Sequence, residues 1–258
     1  MDYDTIRLSE RAGVAVLTLA RPDVMNALDT RMRAEITHAV GAAERTARVL
    51  VLTGKGRAFC SGQDLGDGGN AAEMNLERVL RDEYEPMLRA LFDCAVPTIA
   101  AVNGPAAGAG ANLALACDVV IATERAVFLQ AFARIGLIPD AGGTYWLPRQ
   151  VGFARAMGAA LFAEPVTARD AAAWGMIWEA VPDDAFADHW WARAQHLASG
   201  PTAAYRGIKR ALREGYGNDL DAQLKLEAQL QGEAGRSRDF QEGVLAFLEK
   251  RAARFEGR

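Results

Sequence analysis

The chain has 258 residues, half of them apolar, with a formal net charge of −4 and a pI of about 5.5. That length suffices for one large domain, or a domain with a small appendage, and the charge offers no basic footprint for nucleic acid. No apolar run is long enough to span a membrane, and the polar start MDYDTIRLSERAG does not read as a signal peptide.

In chain order, Ile6–Ser9 and Val14–Leu19 read as a hairpin turning at Arg11-Ala12-Gly13. Asn26-Ala27-Leu28-Asp29 opens a helix to about Ala43, with Met32, Ile36 and Val40 on one face. Val49–Thr53 is a continuous apolar run, the mark of a strand buried on both faces. Gly54-Lys55-Gly56-Arg57 lacks the spacing and the Ser/Thr of a phosphate loop, so a nucleotide site is rejected there. AFCSGQDL (58–65) is a strand-to-loop passage, followed by a Gly-rich segment at 66–71 and a helix from about Ala72 to Phe92.

The stretch from Pro97 to Asp118, PTIAAVNGPAAGAGANLALACD, then reads as strand, tight turn and buried helix. Its first helical turn carries only Gly and Ala. The amides there lack intrahelical partners and lie at the positive end of the helix dipole, so an oxygen gaining negative charge is stabilised beside them. Close helix packing explains the same composition, and on this stretch alone both readings stand. Val119–Ala122 is a further buried strand, and residues 123–135 are less regular. GLIPDAGGT (136–144) is the third Gly-rich passage. Helices are expected at about 143–150 and 152–162, and at Ala168–Trp174, capped by Thr167 and stopped by Gly175. Met176–Val181 reads as a strand. From Asp183 onward the chain is helical, with breaks at Gly200-Pro201, Gly215–Asn218 and Gly235. Alternating strands and helices indicate a largely parallel α/β body with its boundary near Gly200.

Three cysteines, Cys60, Cys94 and Cys117, have neither metal-ligand nor disulfide-framework spacing, which suits a reducing, cytoplasmic setting without a metal. His38, His189 and His196 fall on helices away from the Gly-rich loops, and Ser61 has no histidine placed beside it. Asp140 is the best candidate for chemistry. A carboxyl among the apolar neighbours of LIPDAGG has its pKa raised by burial and can both take and give a proton. The competing reading is that Asp140 caps the next helix through the amide of Gly142 or Gly143.

ARPDVMNAL (20–28), AFCSGQDL (58–65), NGPAAGAGANLALACD (103–118) and GLIPDAGGTYWLP (136–148), in this order, resemble the crotonase family, the enoyl-CoA hydratases and isomerases. The resemblance continues through EGVLAFLEKRAARF (242–255). It implies an α/β spiral of ββα turns over 1–199, followed by a C-terminal helical trimerisation region over 200–258, assembled as a homotrimer or a dimer of trimers. It also implies an acyl-CoA thioester substrate, with no cofactor beyond the CoA that the substrate carries. The oxyanion hole carries over to the amides of Gln63 and Ala109, one such donor being worth about 3–4 kcal/mol in rate. CoA contacts carry over to main chain near Val24, Ala27, Ala58 and Cys60. Lys250 is placed to meet a CoA phosphate, or else is a solvated helix-end lysine.

The two glutamates of the family's hydratases fall at Asn112 and Phe132, counted with the substrate-binding residues, so both water-activating acids are missing. One carboxyl remains, Asp140, where several isomerases of the family carry their acid. GQDL, AAGAGANLALACD, GLIPDAGGTYWLPR, AAAWGMIWEAV and GRSRDFQEGVLAFLEKR are similar to the epoxyphenylacetyl-CoA isomerases of phenylacetate degradation. That similarity implies conversion of ring-epoxidised phenylacetyl-CoA to oxepin-CoA, with related shifts of 3-enoyl-CoA to 2-enoyl-CoA. An aliphatic isomerase or hydratase is the alternative; a non-catalytic RNA-binding member is disfavoured by the acidic charge. On this reading Asn112→Ala is expected to be mild.

Overall fold

The computed structural model describes residues 2–66 and 75–257. Beyond Gly66, the Gly-rich segment at 66–71 lies outside the described residues. The body is built on a six-stranded sheet in the order β1-β2-β3-β4-β6-β9. β1 (Ile6–Arg11) and β2 (Val14–Leu19) form an antiparallel hairpin with Arg11 opposite Val14. Its two-residue turn is left-handed at both Ala12 and Gly13. β3 (Val49–Gly54), β4 (Thr98–Val102), β6 (Val119–Thr123) and β9 (Glu179–Val181) then add in parallel.

Alternation divides the strand side chains between two cores. Val14, Val49, Val51, Ile99 and Ile121 face α8 (Phe186–Ala198). Leu17, Leu50, Leu52, Ala100 and Val102 face the larger core under α1 (Thr30–Ala43). Both faces are covered, which explains why β3 and β4 read as unbroken apolar runs.

Each turn of the chain also sends a short extended piece into a second layer. Leu28 bridges Gln63, Cys60 bridges Ala106, and β5 (Ala106–Ala107), β7 (Val127–Leu129) and β8 (Val166–Thr167) form a three-stranded sheet. Strand, short strand, helix is therefore the repeating turn of the spiral, as expected. One boundary differs from the sequence reading. The first helix begins at Thr30, with the Asp29 carboxylate capping Met32, because Met25 and Asn26 are left-handed and Leu28 is engaged in its bridge. A second difference lies at the wall helix, which runs as α2 (Leu76–Val79), a π turn (Leu80–Tyr84) and α3 (Glu85–Phe92).

α4 (Ala109–Leu115) is buried at every residue, so its Gly and Ala content serves close packing as well as any ligand. α5 (Gly143–Val151), α6 (Phe153–Phe162) and α7 (Ala168–Trp174) follow as expected, with Thr167 capping Asp170 and Gly175 ending α7 in a left-handed turn. The C-terminal helices are α9 (Thr202–Glu214), α10 (Leu220–Ala234) and α11 (Arg238–Leu248). α9 is tied to the body by Lys209, whose ammonium meets Asp118 and the carbonyls of Cys94 and Val96, and by Arg213 on Asp118.

Candidate active site

The two Gly-rich passages meet at Gly62. A Cβ there would stand 2.9 Å from the Ala107 carbonyl and 3.4 Å from the Ala109 nitrogen, and Gly62 has a φ of 97°. Only glycine meets both demands without strain. In the Leu28–Gln63 bridge the Leu28 amide donates to Gly62 and the Asp64 amide donates to Leu28. The Gln63 amide is thus turned away from that pairing. Ala109 is the first residue of α4, where an amide has no intrahelical acceptor. Gly62, the residue before Gln63, thus lies against the first residue of α4, and the main chains of the two passages come together there.

Asp140 precedes a left-handed pair, Ala141 (φ 48°) and Gly142 (φ 80°), which leads into α5. Its main-chain oxygen, not its side chain, accepts from the Gly143 amide, and α5 has no side-chain cap. The capping reading is thereby corrected: the carboxyl does not cap α5. One carboxylate oxygen is buried and meets no hydrogen-bond donor among the described residues. Burial pushes the carboxyl up to about 6, against a small opposing contribution from its own amide. A carboxyl balanced there both accepts and returns protons near neutral pH.

Asp140 is among the residues lining a cleft of about 860 Å³ between the wall helix and the loop at 137–142. Leu76, Leu80, Tyr84, Leu88 and Ile138 line it, with an aromatic corner of Phe92, Tyr145 and Trp146. Trp146 packs 5.2 Å from Phe92 and 4.7 Å from Tyr145, centroid to centroid. The two other carboxylates on the lining, Glu77 and Glu85, are exposed and paired with Arg81 and Arg89 one turn on. Asp140 is thus the half-buried acid of an apolar cleft.

The Enoyl-CoA hydratase/isomerase family matches residues 9–258 of this chain. The chain belongs to the enoyl-CoA hydratase/isomerase family. A probable enoyl-CoA hydratase of Rhodobacter capsulatus is 64% identical over the whole of both chains. The 1,2-epoxyphenylacetyl-CoA isomerase of Escherichia coli is 48% identical, over 95% of this chain and 96% of that one. Among solved structures, an enoyl-CoA hydratase subunit of Geobacillus kaustophilus superimposes with a TM-score of 0.93 at 34% identity, each chain covered in full. The fold is accordingly the crotonase fold.

In this member of the enoyl-CoA hydratase/isomerase family, the other expected residues divide sharply. Asn112 is fully buried. Its amide donates to the Asp140 carbonyl at 2.7 Å, and its oxygen accepts from Gln130 at 2.8 Å. The expectation that it touches substrate is corrected: both ends of the side chain are engaged inside the protein. Phe132 is buried with its ring tip 3.7 Å from where a Gly108 Cβ would stand, just before Ala109. It packs against the turn that presents the α4 amide.

Of the residues assigned to CoA, Val24 is exposed on a 3-10 turn, Pro22–Val24. Ala27, Ala58 and Cys60 are buried. Arg21 holds the Ala27 carbonyl, while Asn26 and Asn103 both hold that of Ala58. Cys60 donates its amide to Pro105 and accepts from Ala107, and burial pushes its thiol up to about 12. Both main-chain groups of Cys60 and the Ala58 carbonyl are therefore engaged within the protein. Lys250 is exposed beyond α11 and does not line the cleft.

Three residues went unread in the sequence. Gln130 braces Asn112. Arg33 is almost fully buried although it follows Met32 in a helix read by its apolar face. Tyr84 lines the cleft and donates to the Gln63 side chain at 2.5 Å. No local pattern marks any of them, because each acquires its role from a partner at least 18 positions away.

Proposed function

We propose that this protein is an acyl-CoA isomerase working through a thioester enolate, with Asp140 as the one acid/base. The carboxylate removes a proton from the carbon next to the thioester carbonyl. The electron pair moves onto the carbonyl oxygen, which lies between the amides of Gln63 and Ala109. Asp140 then returns its proton to a carbon further along the acyl chain, and the double bond ends conjugated with the thioester. No water is consumed, and no cofactor is needed beyond the CoA of the substrate.

The observation that carries this reading is the Asp140 carboxyl itself: one oxygen unpartnered, raised to about 6 by burial, in a cleft whose remaining carboxylates are exposed and ion-paired. The positions at which hydratases of the family carry acids hold a braced amide and a buried phenyl ring. The aromatic corner suits a flat cyclic acyl group, and relatedness to the Escherichia coli isomerase agrees with it. The finer proposal is therefore ring-1,2-epoxyphenylacetyl-CoA to oxepin-CoA. The epoxide and the oxepin are valence tautomers, so the enzyme needs to supply only the double-bond shift. Assembly as a homotrimer accompanies this reading, supported by exposed apolar side chains along the C-terminal helices, among them Leu212, Leu220 and Phe247.

A second reading, hydration of a 2-enoyl-CoA, is favoured by the name of the Rhodobacter capsulatus relative. Incubation with a 3-enoyl-CoA in heavy water separates the two. Deuterium entering the α-carbon and a 2-enoyl product, both abolished in Asp140→Asn, are expected of the isomerase. Formation of a 3-hydroxyacyl-CoA from a 2-enoyl-CoA supplied in parallel, with no α-exchange and no product from the 3-enoyl-CoA, would replace it with the hydratase.

A further inference from the structure

We propose that Tyr84 and Arg33 are positioning residues that clamp the Gln63 side chain, so that an oxyanion donor and the wall of the acyl cleft form one unit; this rests on reading the Gln63 amide as such a donor. A donor that acts through its main chain needs no particular side chain. Residue 63 nevertheless carries an amide oxygen that accepts two hydrogen bonds, from the Tyr84 hydroxyl at 2.5 Å and from Arg33 Nη1 at 3.0 Å.

The same Arg33 nitrogen donates at 2.7 Å to the carbonyl of Leu28, the residue bridged to Gln63. Leu28 in turn bonds Gly62 and Asp64, on either side of Gln63. One guanidinium thereby holds both the side chain of residue 63 and the strand that orients its peptide plane. Its other nitrogens, Nε and Nη2, hold Glu83 at 3.0 and 2.5 Å. Glu83 adjoins Tyr84 on the π turn of the cleft wall, and a π turn within a helix is frequently found at a functional site. The guanidinium also lies 4.8 Å from the Tyr84 ring centroid.

The consequence is steric and electrostatic. Held by two donors, the Gln63 oxygen keeps its own NH2 directed at the Asp64 carbonyl. Released, that NH2 is free to swing toward the place a thioester oxygen must occupy. Burial raises the Tyr84 phenol above the ordinary tyrosine range, so it stays a donor and does not act as a base.

Tyr84→Phe tests the clamp while keeping the ring against Arg33. The first readout is the carbonyl stretch of bound hexanoyl-CoA by difference infrared spectroscopy, which needs no turnover. The wild type is expected to lower it and Tyr84→Phe to lower it less. The second is α-proton exchange on a 3-enoyl-CoA. There kcat is expected to fall about tenfold to a hundredfold, as misplacement of one reacting contact costs, with KM within about twofold. In a Gln63→Leu background, which keeps the amide, Tyr84→Phe is expected to add no further loss.

An unchanged carbonyl stretch in Tyr84→Phe overturns the proposal. So does an equal loss with and without the Gln63 side chain, which would make Tyr84 a cleft contact. If wild type leaves the carbonyl stretch unmoved, the oxyanion reading and the clamp fall together. If wild type lowers it yet exchanges no α-proton, only the isomerase reading falls, and the infrared comparison still decides the clamp.

Discussion

The side-chain amide of Asn112, on α4, donates to the main-chain oxygen of Asp140 at 2.7 Å. The helix that presents the Ala109 amide therefore also holds the loop that presents the acid. Both halves of the proposed chemistry, charge stabilisation and proton transfer, are referenced to one buried helix.

That bond changes what is expected of Asn112→Ala. A mild effect does not fit a side chain with both ends engaged in the interior. The substitution leaves the Gln130 amide and the Asp140 carbonyl without this partner, at a cost of about 2 kcal/mol in stability. Turnover is expected to fall about tenfold as the Asp140 loop loosens. Urea unfolding and steady-state kinetics check the two parts separately; wild-type values in both would return Asn112 to the status of a spectator.

Asp140→Asn keeps the shape of the side chain and removes its proton chemistry. Exchange at the α-carbon is expected to drop by about a thousandfold or more, within the range of lost acid/base catalysis. Binding of an acyl-CoA, measured by calorimetry, is expected to persist. Near-full turnover in this variant would end the single-acid mechanism.

The pH dependence follows from the carboxyl being raised from 3.8 to about 6 by burial. Proton removal requires the ionised form, so kcat/KM should rise with pH to about 6 and then level, and Asp140→Asn should lack that limb. For stability the sign is opposite. Between about 4 and 6 the native state binds the proton more tightly than the unfolded chain does, so this group makes stability fall as pH rises across that window. Unfolding at pH 4 and pH 7, wild type against variant, reads the difference directly.

Gly142→Ala is expected to be severe. A Cβ there would lie 2.4 Å from the Trp146 indole nitrogen, and the backbone has a φ of 80°. Strain of this kind costs about 1–3 kcal/mol, and relief by moving Trp146 would open the aromatic corner beside Asp140. A lowered Tm together with lost turnover is the expected result.

Trp146→Ala probes the acyl group. It removes the ring that packs on both Phe92 and Tyr145 at the cleft. The kcat/KM for a phenylacetyl-derived thioester should fall at least tenfold further than that for a straight-chain 3-enoyl-CoA. Equal losses on both substrates would place the selection of the acyl group elsewhere.

The sequence by itself determined the alternating α/β body, because β3 and β4 are apolar on both faces and the helices carry their stops at Gly175, Gly200 and Gly215. These are local properties of backbone and side chain, legible wherever they occur. It also brought out Asp140 and the two small-residue passages, since an acid among apolar neighbours and a helix start without side chains are visible in a few consecutive residues.

What only the tertiary structure decided depends on pairing across the spiral. Asp140 does not cap α5, because its main-chain oxygen bonds the Gly143 amide and one buried carboxylate oxygen meets no donor among the described residues. Asn112 turned from a pocket residue into a brace, since Gln130 and the Asp140 carbonyl reach it from 18 and 28 positions away. Arg33, Gln63 and Tyr84 meet only where three passages fold together. A hydrogen bond between distant residues leaves no periodicity and no local composition behind, and here the orientation of the proposed catalytic groups is made of such bonds.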